Sequence, residues 1–311
     1  MDDSAIAVLR QTVIMFIIVI IGALCYKFRL INDEGRKQLS DLVLNVVNPL
    51  LIFLSYQTEM RQDLLEGFFW AAIMAVITYT AFILLSHLFF REKDPENSVI
   101  ERFSVIYSNC GFMGTPLIFG VFGAEGVFIQ TGFFTVFNLF VWTHGIMSIS
   151  GERDKKTVLN ALRSPALIAI AAGLICFFLH ITLPDIVYTA LNNVAEMTTP
   201  LAMIVAGGSI MSAGLLKSVK ISRVYLVSAV KLIVFPIIGF LLIMFLPCAD
   251  MPKMITLIEF SCPAATIGTM FAIRFNKNSE YASQIFTVST LLSAITLPII
   301  TMLGTTVLEL I

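Results

Sequence analysis

Charged residues are scarce in this sequence. They make up 13% of the 311 residues, and the two signs nearly cancel to a net charge of −1. Soluble globular domains carry about 25% charged residues, so this composition excludes an ordinary soluble domain. Hydrophobic residues instead reach 58%, and the mean hydropathy is +0.90. The sequence therefore predicts an all-α polytopic membrane protein that is surrounded by a lipid bilayer, and we expect no nucleic-acid partner.

Residues that build catalytic and metal centres are also few. The three histidines lack the spacing of metal ligands, and most of the five cysteines lie inside apolar segments, where buried thiols are expected rather than disulfides. The motifs HExxH and GxSxG are absent, so we expect neither an enzyme nor a cofactor. The N-terminal Met-Asp-Asp-Ser-Ala lacks the basic region of a signal peptide, so the first apolar segment should remain as a span.

Ten segments are long and apolar enough to cross a bilayer, which takes about 20 residues. They are 5–26, 38–56, 68–90, 100–122, 127–149, 164–183, 194–215, 222–247, 254–274 and 282–308. Most of the 20 lysine and arginine residues fall in the loops that follow segments 1, 3, 5, 7 and 9. Basic residues prefer the cytoplasmic side, so we expect these loops inside the cell and both termini outside.

The two halves of the chain resemble each other. A shift of 151 positions places Gly22 over Gly173 and Pro49 over Pro200. Five spans in each half reverse the direction of the second half, which makes the repeat an inverted one. We therefore predict a first five-helix repeat at 1–150, a cytoplasmic linker at 151–163 and a second, inverted five-helix repeat at 164–311.

Two predicted spans are interrupted by residues that disrupt helices. The fourth contains Ser-Asn-Cys-Gly-Phe-Met-Gly-Thr-Pro at 108–116, and the ninth contains Ser-Cys-Pro-Ala-Ala-Thr-Ile-Gly-Thr at 261–269, at a shift of 153 to 154. Irregular backbone survives in hydrocarbon only where protein or a water-filled cavity surrounds it. Matched breaks in two inverted halves are typical of a transporter binding site near the bilayer midplane. A proline kink is the alternative explanation of either break taken alone.

Motifs along the whole chain resemble the auxin efflux carrier family of bacterial permeases. They are Lys-Phe-Arg-Leu-Ile-Asn at 27–32, Asn-Pro-Leu-Leu-Ile-Phe at 48–53, Asn-Cys-Gly-Phe-Met-Gly-Thr-Pro-Leu at 109–117, Leu-Arg-Ser-Pro-Ala-Leu-Ile-Ala at 162–169, Pro-Leu-Ala-Met-Ile-Val-Ala-Gly-Gly-Ser-Ile at 200–210 and Cys-Pro-Ala-Ala-Thr at 262–266. The resemblance implies ten transmembrane helices as a 5+5 inverted repeat, with broken helices 4 and 9 that cross. Spans 1, 2, 6 and 7 would form a scaffold, and spans 3–5 and 8–10 a transport domain.

The resemblance also implies a function. Members of this family, like the related plant auxin carriers, move organic anions such as malate, malonate or indole acetate. We therefore expect a secondary active transporter of small carboxylates in the cytoplasmic (inner) membrane, and the resemblance leaves a homodimer open. An anion channel or a membrane sensor built on the same fold are the alternatives. The sequence does not assign the particular anion, the coupling ion or the direction of transport.

Polar residues of the second and seventh spans correspond under the shift of 151. They are Asp41, Asn45 and Asn48 in the second span, and Asn192, Glu196 and Thr199 in the seventh. The spacing in each trio is i, i+4 and i+7, which in an α-helix places three side chains on one face. We expect each trio to face the groove between the domains or to seal the scaffold.

The residues at the breaks are the candidate substrate ligands. The Asn109 amide can donate to a carboxylate or accept from a protonated acid, although intramembrane asparagines also join helices. Lys231 in the eighth span is either a counter-ion, for the substrate carboxylate or for an acidic partner, or a lysine that extends to the cytoplasmic surface. The candidate set is Ser108, Asn109, Gly111, Gly114, Pro116, Cys262, Pro263, Thr266, Asn48 and Lys231.

Glu259 is the candidate for coupling transport to an ion. It lies a few residues before Pro263 inside the ninth span, and ionisable residues at such a depth are usually functional. Unpaired in a low dielectric, its carboxylate takes up a proton; surrounded by oxygen atoms of Asn109, Thr131 and Thr135, it could instead hold Na⁺. The bile acid sodium symporters, which look similar in architecture, are an analogy for the second case. The coupling ion is thus H⁺ or Na⁺, and no other metal is expected.

Overall fold

Helices form nearly all of the regular structure. The computed structural model describes residues 3–58, 61–90, 95–151, 165–214, 218 and 220–310. Apart from one isolated β-bridge, the regular structure of these residues is helical. The chain is therefore an all-α membrane protein, as its composition predicts. The predicted linker at 151–163 lies outside the described residues except for Gly151.

The first half of the chain contains three π-helical turns among its α-helices. The α-helices are α1 (Asp3–Lys27), α2 (Asp33–Leu42), α3 (Asn48–Ser55), α4 (Gln62–Phe89), α5 (Pro95–Ile106), α6 (Thr115–Phe140) and α7 (Ile146–Ser150). The π-turns are π1 (Val43–Val47) between α2 and α3, π2 (Cys110–Gly114) before α6, and π3 (Val141–Gly145) between α6 and α7. Such turns are rare and occur frequently at functional sites.

The second half contains one π-turn in its described residues. Its α-helices are α8 (Pro165–Phe178), α9 (Asp185–Ala195), α10 (Thr198–Ser212), α11 (Ser222–Ala229), α12 (Phe235–Ile243), α13 (Asp250–Ser261), α14 (Thr266–Arg274) and α15 (Ser279–Leu310). The π-turn π4 (Val230–Val234) joins α11 to α12. Residues 196–197 form a turn between α9 and α10, and residues 262–265 separate α13 from α14.

Seven helical stretches of the described chain are long and apolar enough to cross a membrane. They are Leu9–Lys27, Asp33–Ser55, Gln62–Phe89, Cys110–Ser150, Asp185–Ser212, Ser222–Ile243 and Ser279–Leu310. The sequence predicts ten, and the counts differ where helices are short or broken. α8 has 14 residues, α5 and α13 have 12 each, and α14 has 9, all fewer than a single helix needs to span a bilayer.

The longest stretch, Cys110–Ser150, bends at Gly123. This residue has φ +64° and ψ −156°, a backbone conformation that is essentially restricted to glycine. No atom lies within 4 Å of a Cβ built there, so the requirement for glycine is conformational rather than steric. The chain therefore changes direction between the residues of the predicted fourth and fifth spans.

The helices α1 and α10 pack with their backbones close together. A Cβ on Gly22 would overlap the carbonyl of Ile204, and a Cβ on Gly207 would overlap the carbonyl of Val19. Small residues permit such close approach of two membrane helices, whose association depends mainly on packing.

The polar trio of the second span does not share one face. Asp41 and Asn45 are exposed, whereas Asn48 is buried. The reason is π1, which inserts one extra residue between Asp41 and Asn48 and so rotates the later side chain by about 100°. Asn45 instead donates from Nδ2 to the Asp41 carbonyl of its own helix at 2.8 Å.

The corresponding trio of the seventh span is interrupted in a similar place. The turn at 196–197 begins with Glu196, so the helical spacing that relates Asn192 to Thr199 is not continuous. Asn192 Nδ2 donates to Glu196 Oε1 at 2.9 Å, and Glu196 is exposed. The expectation of one common face was wrong for the second span, because it assumed an uninterrupted α-helix. In the seventh span, the hydrogen bond between Asn192 and Glu196 keeps these two side chains on one face.

Candidate functional site

The two helix breaks meet in space, and we call the place where they meet the crossing. The N–H of Asn109 donates to the carbonyl of Pro263 at 2.8 Å, and the N–H of Ala265 donates to the carbonyl of Tyr107 at 3.0 Å. These bonds flank an antiparallel β-bridge between the residues that follow α5 and α13. Each break satisfies backbone groups that the other leaves without a helical partner, which reduces the cost of irregular backbone inside a membrane.

Four half-helix ends converge on the crossing. α5 ends at Ile106 and α13 ends at Ser261, while π2 begins at Cys110 and α14 begins at Thr266. An N-terminal end presents free N–H groups and a positive dipole, whereas a C-terminal end presents free carbonyls. The crossing therefore offers donors for an anion and carbonyls for a cation in one small volume.

Two asparagine side chains at the crossing have unused hydrogen-bonding capacity. Asn109 Oδ1 accepts from Thr266 Oγ1 at 3.1 Å, and Asn48 Nδ2 donates to the Gly111 carbonyl at 3.4 Å. Within the described residues, Asn109 Nδ2 and Asn48 Oδ1 have no partner, although Asn109 and Asn48 are only 4% and 2% exposed. Buried polar atoms normally have a partner, so a ligand or water is expected to satisfy these two.

An aromatic side chain borders the same place. A Cβ on Gly111 would lie 3.7 Å from Asn48 Nδ2 and 3.8 Å from the Phe134 ring. Phe134 belongs to α6, and its ring stacks on Phe137 with centroids 5.7 Å apart. The sequence did not single out Phe134, because one of 26 phenylalanines in apolar segments carries no distinguishing signal.

Lys231 lies at the crossing rather than at the membrane surface. The residue is 0% exposed, and its Nζ donates to Ser108 Oγ at 2.6 Å and to the Phe260 carbonyl at 3.3 Å. The Phe260 carbonyl belongs to the last turn of α13, where carbonyls have no helical partner. The ammonium is thus held at the C-terminal end of a half-helix, where a cation is favoured. The alternative in which Lys231 extends to the cytoplasmic surface was wrong.

The Glu259 carboxylate packs against π2. Its Oε1 accepts from Gln130 Nε2 at 2.7 Å, and the same Nε2 donates to Thr115 Oγ1 at 2.9 Å. A Cβ on Gly114 would overlap Oε1, so only glycine allows the carboxylate to approach so closely. Glu259 is 0% exposed, its Oε2 has no partner among the described residues, and the ion pairs found there do not include it.

The hydroxyls of Thr131 and Thr135 are engaged elsewhere. The Thr131 hydroxyl bonds to the Tyr56 hydroxyl and donates to the Phe128 carbonyl at 2.6 Å, and Thr135 Oγ1 donates to the Thr131 carbonyl at 2.7 Å. The side chain that α6 directs at Glu259 is Gln130, one residue and about 100° away from Thr131. Its amide in an otherwise apolar run was a signal that the sequence prediction missed.

The remaining predicted residues frame the crossing. Pro116 lies in the first turn of α6, directly after π2, and because proline has no N–H it leaves a carbonyl of the preceding turn without that helical donor. Pro263 contributes its carbonyl to Asn109, and the Cys262 thiol is buried beside it. Ser108 accepts from Lys231 and lies with its Oγ 3.2 Å from the Phe260 carbonyl.

A second buried carboxylate, Glu101, lies in the middle of α5 and holds this helix in position. Glu101 accepts from Arg223 Nε at 2.8 Å and from Arg223 Nη2 at 2.9 Å, and Tyr281 Oη donates to it at 2.7 Å. These charge-assisted bonds join α5 to α11 and α15. These bonds hold in place the half-helix that leads into the break. They also satisfy both carboxylate oxygens of Glu101, whereas Glu259 Oε2 has no partner among the described residues.

Sequence comparisons place the chain among membrane transport proteins. The chain matches the family described as membrane transport protein over residues 7–160 and 152–301. An uncharacterized transporter of Methanothermobacter thermautotrophicus is 26% identical over 92% of this chain and 94% of its own length. Another, of Methanocaldococcus jannaschii, is 26% identical over 89% of this chain and 92% of its own length. The chain is thus a transporter rather than an enzyme, and it belongs to the auxin efflux carrier family of membrane transport proteins.

Proposed function

We propose that this protein is a secondary active transporter of small organic anions that works by alternating access and is coupled to a cation. The observation that carries the proposal is the crossing: two bonded helix breaks, beside which Asn109 Nδ2 and Asn48 Oδ1 are buried without partners in the described chain. Carboxylates such as malate, malonate or auxin-like acids provide acceptors for an amide donor and for the free N–H groups of half-helices.

Positive charge at the crossing supports an anionic substrate. The N-terminal ends of π2 and α14 carry partial positive charge, and Lys231 adds a full one beside Ser108 of the β-bridge. Glu259 contributes the opposing negative charge. When Glu259 is neutralised, the net potential at the crossing becomes positive and favours the anion.

This charge balance supplies the coupling mechanism. A proton or Na⁺ at Glu259 removes the negative charge, and a bound carboxylate in turn favours the neutralised state of Glu259. Each ligand therefore lowers the cost of binding the other, and linkage makes the effect reciprocal. Na⁺ would need further oxygen ligands, for which Gln130 and Thr115 stand closer than the predicted Thr131 and Thr135.

We further propose ten transmembrane passes. The 41-residue stretch Cys110–Ser150 would extend about 60 Å if straight, twice the hydrocarbon thickness of about 30 Å. The bend at Gly123 divides it into two passes. α5 with π2 and the start of α6 then forms one broken pass, and α13 with α14 forms another.

Equivalent glycines in the two halves support an inverted repeat. A Cβ on Gly22 of α1 would overlap Ile204 in α10, and a Cβ on Gly173 of α8 would overlap the Tyr56 ring that follows α3. The first span of each half thus packs against the second span of the other half. Such an exchange of partners is expected of two repeats that form one scaffold from spans 1, 2, 6 and 7.

The substrate site would lie between this scaffold and the transport domain. Asn48 belongs to the scaffold span that contains α3, whereas Gly111, Asn109 and Thr266 belong to the two broken spans. A ligand held by both sets bridges the domains, so movement of one domain against the other would carry it between the two membrane surfaces.

The distribution of basic residues supports termini outside the cell, in the cytoplasmic membrane. Glu309 is an exposed residue at the C-terminal end of α15, and Lys220 is an exposed residue just before the N-terminal end of α11. In intact cells, a membrane-impermeant thiol reagent should label Glu309→Cys but not Lys220→Cys, after removal of reactive native cysteines. Labelling of Lys220→Cys alone would reverse the proposed orientation.

Asn109→Ala should weaken substrate binding roughly tenfold or more, because a hydrogen bond to a charged group contributes about 1.5–3 kcal/mol. The substrate is first identified by thermal-shift screening of dicarboxylates, monocarboxylates and aromatic acids, with and without Na⁺ and at two pH values. The dissociation constant of the best ligand is then measured for both proteins.

Asn138→Ala is the matched control for this prediction. Asn138 is also buried, but its Nδ2 donates to the Phe134 carbonyl of its own helix at 2.8 Å. The control should keep the parent affinity. Unchanged affinity of a folded Asn109→Ala protein would exclude Asn109 from the substrate site.

An anion channel on this fold would show flux without counterflow of labelled substrate, whereas the proposed carrier shows counterflow.

A further inference from the structure

A cavity of about 720 Å³ lies at the end of the molecule where α4 and α13 begin. Its lining comes from α4, α6, α13, α15 and the segment after α12, and includes Gly67, Ile129 and Pro252. A Cβ on Gly67 would lie 2.9 Å from the Ile129 side chain and 3.4 Å from Pro252, so a larger side chain there would press on this wall. The basic-residue pattern places this end of the molecule outside the cell.

The helix α13 leads from this cavity towards Glu259. Pro252, Thr256 and Glu259 are spaced by four and three residues, which places them on one face of the helix. Each interval corresponds to a rise of about 5 Å. Thr256 therefore lies one turn from the cavity wall and one turn from the carboxylate.

The helix α6 leads from the cavity to the same carboxylate. Ile129 lines the cavity, and the next residue, Gln130, donates to Glu259 Oε1 at 2.7 Å. Two separate helices thus connect the cavity wall to Glu259 over a short distance.

Two oxygen atoms on this route are buried without a partner in the described structure. They are Thr256 Oγ1 and Glu259 Oε2, and both residues are 0% exposed. An unsatisfied buried polar atom costs about 1–3 kcal/mol. Buried water usually removes this cost, and two oxygens one turn apart can be joined by water molecules hydrogen-bonded in series.

We propose that a file of water molecules leads from this cavity past Thr256 to Glu259 and delivers protons to the carboxylate. Two protein oxygens are too few to form a binding site for Na⁺, whereas protons pass along hydrogen-bonded water, so the ion that the path delivers to Glu259 is a proton. A thiol introduced on the path would add the soft ligand that retains Ag⁺. The use of this proton for coupling rests on the proposed function of Glu259, whereas the existence of the path does not.

Glu259 is the group on this route that accepts the proton. The other titratable groups around it are Tyr79 on α4, Cys110 on π2, Cys262 after α13, Lys231 on π4 and, towards the cavity, Lys253 on α13. Glu259 is the carboxylate of this set, and the thiols and phenol are ordinarily neutral at physiological pH.

The path is separate from the substrate site. The residues lining the cavity come from the predicted transport domain, and α1–α3 and α8–α10 contribute none of them. Asn48 and Asn109 lie at the crossing, next to the scaffold. A substrate at the crossing therefore does not block the proton path, and proton and substrate can bind in either order.

The path is tested by silver accessibility. Thr256→Cys is made together with Cys248→Ser, because Cys248 lines the cavity and would itself react. Ag⁺ is added outside intact cells; the protein is then denatured and alkylated, and mass spectrometry measures the alkylation at position 256. Ag⁺ enters water-filled paths and binds thiols, so we expect protection of position 256 from alkylation.

Ser228→Cys in the same Cys248→Ser background is the matched control. Ser228 is likewise 0% exposed with an unpartnered hydroxyl in the described chain, but it lies on α11 away from the cavity. The cysteine at position 228 should remain unprotected from alkylation. Adding Gly67→Leu to the Thr256→Cys protein should abolish the protection of position 256. Equal alkylation at positions 256 and 228 in folded proteins, or protection that survives Gly67→Leu, overturns the path.

This experiment distinguishes the path from the coupling role of Glu259. Labelling at position 256 does not depend on transport. If position 256 is protected but the Glu259→Gln variant still accumulates substrate, the path is supported and the coupling role of Glu259 is rejected. Loss of accumulation in Glu259→Gln without protection at position 256 would reject the path alone.

Discussion

Glu259→Gln should abolish uphill accumulation of substrate while it leaves exchange of substrate across the membrane intact. Gln has the shape of a protonated Glu, so the variant is fixed in the neutralised state that favours the anion. It can still bind and release substrate, but no cation is taken up or released with it. In proteoliposomes with an imposed proton or Na⁺ gradient, the accumulation ratio should fall to the value without a gradient, while counterflow continues.

Glu101→Gln is the matched control for this prediction. Glu101 is also a buried carboxylate, but in the middle of α5, where Arg223 neutralises it and Tyr281 donates a further hydrogen bond to it. This variant should accumulate substrate, with a lower thermal stability as its main defect. Accumulation by Glu259→Gln that equals the parent would make Glu259 a structural residue.

Gly114→Ala provides an independent arm of the same experiment. Its Cβ would overlap Glu259 Oε1, so the carboxylate must move away from Gln130. Coupling should therefore be impaired although the carboxylate itself is retained. Full coupling in a folded Gly114→Ala protein would show that the position of Glu259 against π2 is not required.

Lys231→Met should lower substrate affinity by on the order of a hundredfold. Met has a similar length but no charge, so the crossing loses its buried ammonium. At an effective dielectric constant of about 20, a unit charge roughly 6 Å from the substrate carboxylate contributes on the order of 3 kcal/mol. The dissociation constant of the screened carboxylate measures the loss directly.

Two further variants separate charge from hydrogen bonding and from lysine burial in general. Lys231→Gln retains a donor for Ser108 and for the Phe260 carbonyl. Its substrate affinity should fall as much as that of Lys231→Met, but it should unfold at a higher temperature than Lys231→Met. Lys253→Met removes another mostly buried lysine, which lies 3.6 Å from Asp250 at the cavity, and it should keep the parent affinity. Parent-like affinity in folded Lys231→Met would assign the lysine a purely structural role.

The local chemistry of the chain determined its class and the location of its site. A composition with few charges can be stable only in a bilayer, and runs of glycine and proline at 108–116 and 261–269 cannot continue a helix. Both features depend on neighbouring residues alone, which is why the sequence located the breaks and why its motifs identified the family. The candidates Asn109, Gly111 and Thr266 came together for the same reason, since each lies on a break, whereas Asn48 of the second span meets them only in the folded chain.

Contacts between distant spans were decided only by the tertiary structure. Helical spacing predicts which residues share a face, but a π-turn in the second span rotated Asn48 away from Asp41, and no sequence signal marked that turn. Spacing also cannot say which neighbouring helix a face meets: Thr131 and Gln130 are adjacent in the sequence, yet one contacts Tyr56 and the other contacts Glu259. The placement of Lys231 likewise required the Phe260 carbonyl, 29 residues away, because the energy of a buried charge depends on partners that only the assembled helices provide.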